Sequence, residues 1–149
     1  MRTAICYHST HHGNTRKVLE AMAQGNDVDL IDVADEEDAD LDAYDVIGFA
    51  SGIYGFAFDE SVMEFLRKNL PRGKKVFFVY TYSGIRGTGA KKIREAAEEK
   101  GASILGEYSC HGFTTFGPFK LGGGVFKGHP DQKELDGAKA FYQSIMRQQ

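Results

Sequence analysis

The sequence predicts an α/β domain, a doubly wound five-stranded parallel sheet with helices on both faces, and three observations predict it. Five short apolar runs alternate along the chain with four amphipathic helical stretches. Most of the connections between them are short, and no repeat, low-complexity tract or proline-rich linker divides the 149 residues. Parallel strands joined by right-handed crossovers then place helices on both faces, and five strands suit the order 2-1-3-4-5. In such a sheet a ligand binds outside the carboxyl ends of the strands, where the direction of winding reverses. The chain reads as a single domain over residues 1–149, and a domain of that length buries roughly 70% of its unfolded surface without metal or disulfide staples.

The elements follow in order. Thr3-Ala4-Ile5-Cys6-Tyr7 is a buried first strand that stops at a polar cluster. From Thr15 to Gln24, Val18, Leu19, Met22 and Ala23 recur at spacings of three and four, one face of a helix. Val28 to Val33 suits a second strand, and the acidic run Asp35 to Asp40 after it belongs on a solvated connection. Val46 to Ala50 is a third strand that runs into a loop, Ser51 to Phe58, before a helix over about Glu60 to Asn69 that turns Val62, Phe65 and Leu66 inward. Lys75 to Tyr80 is the fourth strand, Gly89 to Lys100 a charged helix, and Ser103 to Ser109 the fifth strand. A last helix spans Asp131 to Met146 with Leu135, Ala138, Phe141, Tyr142 and Ile145 on one side. Between them, Gly112 to Pro130 is a long glycine-rich and aromatic insert without periodicity, and loops of that length tend to be functional.

Composition excludes some classes. A net charge of −3 gives no reason to expect nucleic acid. Cys6 and Cys110 are the only cysteines and Cys6 lies in an apolar run, so no disulfide framework is expected and a reducing, cytoplasmic setting is. The opening Met1 to Tyr7 is too short for a signal-peptide core, and no apolar stretch reaches the roughly 18 residues that would span a bilayer, so no membrane is expected. The five histidines are scattered with no zinc or iron–sulfur spacing, and no metal is expected.

Function enters at the first loop. Ser9-Thr10-His11-His12-Gly13-Asn14-Thr15 lies between a buried strand and a helix start, where an anion meets unpaired N–H groups and the positive end of a helix dipole. Gly13 lets the backbone come close, while Ser9, Thr10, Asn14 and Thr15 supply side-chain donors. The loop holds no lysine or arginine, which favours a phosphate monoester over a triphosphate, and neither a Walker pattern nor G-x-G-x-x-G follows the first strand. A loop of this kind is also what simple helix capping requires.

Thr10-His11-His12-Gly13-Asn14-Thr15 resembles the phosphate loop of the flavodoxin family, T/S-x-T-G-N-T, with His12 where a hydroxyl usually stands. The resemblance implies a flavodoxin-like fold, FMN as cofactor, and electron transfer between redox partner proteins by a monomeric carrier. Protonated, His11 or His12 would help hold a dianion. Two further loops would hold the ring. Ser51-Gly52-Ile53-Tyr54-Gly55 offers Tyr54 as a flat aromatic surface. Gly55 resembles the family's flexible glycine, whose peptide turns its carbonyl toward flavin N5–H on reduction. Thr81-Tyr82-Ser83-Gly84-Ile85-Arg86-Gly87 offers Tyr82, with the amides of Ser83 to Gly87, Ser83, Gly84 and Gly87 among them, for the pyrimidine edge. Arg86 departs from the acidic loops of many flavodoxins, and a cation near the ring's N1 would raise the reduction potential.

Cys110 beside His111 invites a nucleophile reading, but neighbours on a strand point to opposite faces and do not readily share a proton. Phe113 to Gly124 and Lys127 to Pro130 resemble a C-terminal segment in flavodoxin-like proteins of anaerobic microbes. Such a segment packs beside the cofactor edge, forms a partner surface, or self-packs in place of a broken fifth strand. A small NAD(P)H-dependent FMN reductase of related fold is the alternative function. A response-regulator receiver would need acidic residues after the first strand and an Asp after the third, where Ser9-Thr10 and Ser51-Gly52 stand.

Overall fold

A computed structural model describes residues 1–9, 13–54, 57–82, 89–112 and 128–149, with Tyr54 described by its backbone alone. Chain order is β1 (Thr3–His8), α1 (Asn14–Ala23), β2 (Val28–Asp32), β3 (Val46–Tyr54), β4 (Ala57–Phe58), α2 (Glu60–Asn69), β5 (Lys75–Tyr82), α3 (Lys91–Glu99), β6 (Ser103–His111) and α4 (Gln132–Arg147). The main sheet is parallel in the order β2-β1-β3-β5-β6. With the two-residue β4 set aside, this is the predicted order 2-1-3-4-5. Winding reverses between β1 and β3, so the crevice at their carboxyl ends is the topological switch point.

Strand alternation divides the core. Ala4, Cys6, Ile47, Phe49, Phe78 and Tyr80 face one way and pack with Val62, Phe65 and Leu66 of α2 and Ile93 and Ala97 of α3. Ile5, Tyr7, Phe77 and Val79 face the other way against Val18, Leu19 and Met22 of α1 and Ala138, Tyr142 and Ile145 of α4. The three central strands are buried on both faces, which is why they read as unbroken apolar runs. Each large side chain so buried contributes about 1.5–3 kcal/mol. Tyr142 also donates its hydroxyl hydrogen to Thr3 Oγ1 at 2.8 Å, satisfying two polar groups that the α4 contact buries.

The structure departs from the sequence reading where strands were expected to end. Ser51 to Tyr54 continue β3 rather than opening a loop, and β3 turns back antiparallel so that Ile53 pairs with Phe58 and Tyr54 with Ala57. Buried Ser51 closes this hairpin onto α2 by donating to Gly52 O at 2.6 Å and accepting the Asp59 N–H at 2.9 Å. Likewise Thr81 and Tyr82 belong to β5, and Cys110 and His111 to β6, because parallel pairing with a neighbour carries the strand past its apolar run. The helix expected from Gly89 forms only over α3. The acidic run after β2 is exposed as expected, apart from half-buried Ala39.

Candidate functional site

Pairing places the ends of the strands side by side. His8 stands opposite Ser51, Gly52 opposite Thr81, and Tyr82 opposite His111, so β1, β3, β5 and β6 finish on one edge, where the helices that follow begin.

The first loop reaches this edge through Gly13, the N-cap of α1. Its φ of 65° is left-handed, a conformation glycine adopts cheaply, and nothing lies within 4 Å of where a Cβ would stand. Asn14 and Thr15 follow, both buried at the helix start. Having no side chain, the N-cap gives the helix no side-chain cap, and the first turn has no acid. The Arg16 N–H donates to Ser9 Oγ at 3.2 Å. The Arg16 guanidinium folds away along α1 to Glu20 at 2.8 Å and to the Tyr7 hydroxyl. Burial, opposed by that cation, holds the Tyr7 phenol above its ordinary range. His8 Nδ1, at the end of β1, is buried without a hydrogen-bond partner among the described residues.

Neighbouring elements brace this helix start. Thr15 and Thr81 share a buried hydroxyl–hydroxyl hydrogen bond of 3.0 Å, tying α1 to the end of β5. Gly112 lies so close to Asn14 that a Cβ would come within 2.7 Å of Nδ2, and its N–H donates to Tyr82 O at 2.9 Å. Glycine is required there for close approach. The ends of two strands, β5 and β6, thus converge on two consecutive residues of α1.

The ring-loop candidates are divided. Gly52 is buried within β3, and Ile53 is half-buried and packed on the α2/α3 side of the core. Half-buried Tyr82 faces His111 with ring centroids 4.6 Å apart and Tyr80 at 6.5 Å. Thr10, His11, His12, Gly55, Ser83, Gly84, Arg86, Gly87 and residues 113–127 of the insert lie outside the described residues, as does the Tyr54 side chain.

Sequence reasoning missed two things. Thr15–Thr81 and Asn14–Gly112 join residues far apart in the chain, and only the strand order brings them together. Three side chains at the start of α4 also converge, His129, Asp131 and Glu134, with one potential ligand atom of each within 4.8 Å of the others. The signal was the run His129-Pro130-Asp131-x-x-Glu134, which holds a capping pattern. Cys110 is no activated nucleophile in this setting: burial first, then Glu134 and Asp131, push its thiol up to about 12. Burial pushes Cys6 up as well.

Comparison with known proteins matches residues 4–110 to the family model described as a flavodoxin domain. A curated but uncharacterised protein of Methanocaldococcus jannaschii is 36% identical over 149 residues, 99% of each chain. Among solved structures, a flavodoxin from the domain Archaea aligns with a TM-score of 0.71 at 23% identity, covering 99% of this chain and 98% of the other. Oxidised flavodoxin 1 from Bacillus cereus aligns at 0.69 and 15%, covering 99% and 98%. Rubredoxin oxygen:oxidoreductase from Desulfovibrio gigas aligns at 0.72 and 16%, over 98% of this chain but 35% of that larger one. At these identities the structural matches establish the fold.

Proposed function

Given that this chain belongs to the flavodoxin family, we propose that it binds FMN at the edge where β1, β3 and β5 end and carries electrons between redox partner proteins. The observation that carries this reading is the start of α1. An acid-free helix N-terminus at the switch point, opened by a left-handed glycine that brings no side-chain cap of its own, suits a phosphate dianion, whose oxygens accept what the backbone N–H groups donate. Ser9, Gly13, Asn14 and Thr15, with Thr10, His11 and His12 before them, would hold the phosphate. Hydroxyl, amide and backbone donors without a lysine or arginine side chain in the loop itself fit a monoester of modest charge.

The ring would lie over the ends of β3 and β5. Ser51, Gly52 and Ile53 set the course of the backbone there, Tyr54 and Gly55 meet one face and edge of the ring, and Thr81, Tyr82, Ser83, Gly84 and Gly87 meet the pyrimidine side. Bound flavin supplies one- or two-electron chemistry. The chain positions it, excludes water from one side through the packed ends of the sheet, and sets its potential by nearby charge. The small NAD(P)H-dependent reductase is the competing reading. Reconstitution with FMN, followed by reduction with dithionite and separately with NADPH, tests both. The carrier reading expects stoichiometric FMN uptake, reduction by dithionite, and no bleaching by NADPH alone. Rapid bleaching by NADPH favours the reductase, and failure to take up FMN overturns both.

A further inference from the structure

We propose that His129, Asp131 and Glu134 form a binding site for a first-row divalent cation of the zinc type at the N-terminus of α4. The site is separate from the proposed flavin phosphate site at the start of α1.

The donor set is one imidazole nitrogen and two carboxylate oxygens, the mixture that zinc, cobalt and nickel accept. Three features argue for a cation rather than for two surface acids. First, the ligand atoms already converge: Nδ1 of His129 is 3.9 Å from Asp131 Oδ2 and in contact with Glu134 Oε1, and all three atoms lie within 4.8 Å. Donors around a tetrahedral zinc are about 3.3 Å apart for bonds of 2.0–2.2 Å, so side-chain rotation alone closes the site. Second, among the described residues no lysine or arginine pairs with either carboxylate, and His129 is their one basic partner.

Third, Glu134 is oriented from outside the triad. Glu134 Oε2 accepts the His111 N–H of β6 at 3.0 Å, and Glu134 is one of the less exposed acids of the chain, at 17% of its side-chain surface. Backbone donors that fix a carboxylate in this way are what a metal-ligating acid requires. Asp131 Oδ1 is occupied by the Glu134 N–H at 2.9 Å, the N-cap bond, which leaves Oδ2 to turn toward a metal. Glu134 Oε1 also accepts the Asp131 N–H at 3.0 Å and keeps a second lone pair, the one now directed to His129.

On binding, metal bonds form to His129 Nδ1, Asp131 Oδ2 and Glu134 Oε1, and the contact between Nδ1 and Oε1 is replaced by the metal between them. A proton on Nδ1 moves to Nε2 in the neutral ring or leaves to solvent from the imidazolium, so acid opposes binding. Water fills the remaining positions, and the ion cross-links the chain before α4 to the first turn of that helix.

The test is zinc binding to the tag-free full chain after removal of metal, measured by competition with a chromophoric chelator. Three proteins are compared: wild type, His129→Ala and Asp131→Asn. Asparagine keeps the N-cap and removes the charge, so the helix stays capped in that variant. Wild type is expected to take up one equivalent of zinc, with affinity falling as pH falls, and each variant to lose at least about tenfold. No uptake by wild type up to millimolar zinc overturns the proposal. Binding retained by both variants also overturns it, because the zinc would then sit elsewhere, as at His11 and His12. Neither outcome depends on FMN.

Discussion

Four helices follow strands in this sheet, and their first turns fall into two kinds. α2 and α4 start on acids: Asp59 accepts the Ser61 N–H at 2.9 Å with Glu60 behind it, and Asp131 and Glu134 form a capping box. α1 and α3 start on Gly13 and Ala90, neither of which makes a side-chain cap, and carry no acid in the first turn. Their early residues are instead basic, Arg16 and Lys17 in one and Lys91, Lys92 and Arg94 in the other. A basic side chain at a helix N-terminus with no acid beside it opposes the dipole, whereas an acid there is stabilising by about 0.3–1 kcal/mol. The two acid-capped helices therefore satisfy their own ends. The two acid-free ones follow the loops assigned to the cofactor and leave an anion to complete the pattern.

The largest effect is expected from making α1 resemble its neighbours. Asn14→Asp changes one atom type, and the dipole tolerates the carboxylate, so the fold is kept. The new charge repels the flavin phosphate and removes a donor, and the dissociation constant for FMN should rise about 100-fold, the size of a charge-assisted hydrogen bond. Flavin fluorescence quenching measures it, and an unchanged constant would break the comparison. Next comes Gly112→Ala, whose Cβ would press on the Asn14 amide at 2.7 Å. Displacing Asn14 costs about 1–3 kcal/mol, part of it in FMN affinity, so binding by the folded variant should weaken about tenfold.

The converse case is Asp59→Ala. Loss of its cap should lower stability by about 1 kcal/mol, a fall in Tm of about 4 °C, with FMN affinity of the folded protein unchanged. Thr81→Val removes the hydrogen bond to Thr15 Oγ1 and leaves a buried hydroxyl, costing about 1 kcal/mol in urea unfolding and slightly weakening FMN binding. The smallest effect concerns Cys110. Its thiol is raised from 9.0 to about 12, so the unfolded chain ionises first as pH rises. Its contribution to stability is complete below pH 9 and is lost progressively toward pH 12. At neutral pH the native thiol should react with a disulfide reagent far more slowly than in urea.

The fold was legible in the sequence because period and punctuation agreed: each buried strand was an apolar run, and α2 began at Glu60 and ended at Asn69 as its spacing predicts. What sequence reasoning missed lay at the strand ends. Ser51 to Tyr54 look like loop because glycine and serine dominate, yet pairing with β5 and β4 extends the strand through them. The first loop was legible in Gly13-Asn14-Thr15, but its bracing by Thr81 and Gly112 was not, since no local pattern reports on contacts made by strand order. His129, separated from Glu134 by five positions, looked scattered for the same reason: the Glu134 carboxylate folds back onto it at the start of α4.

The account rests on the phosphate rather than on the ring, and comparison of FMN with riboflavin, which lacks only that group, tests it most directly. Titrated into the cofactor-free chain, FMN should bind at least about 100-fold more tightly than riboflavin, the worth of one or two charge-assisted hydrogen bonds at the start of α1. Equal affinity for the two flavins would contradict the assignment of that helix end to the phosphate.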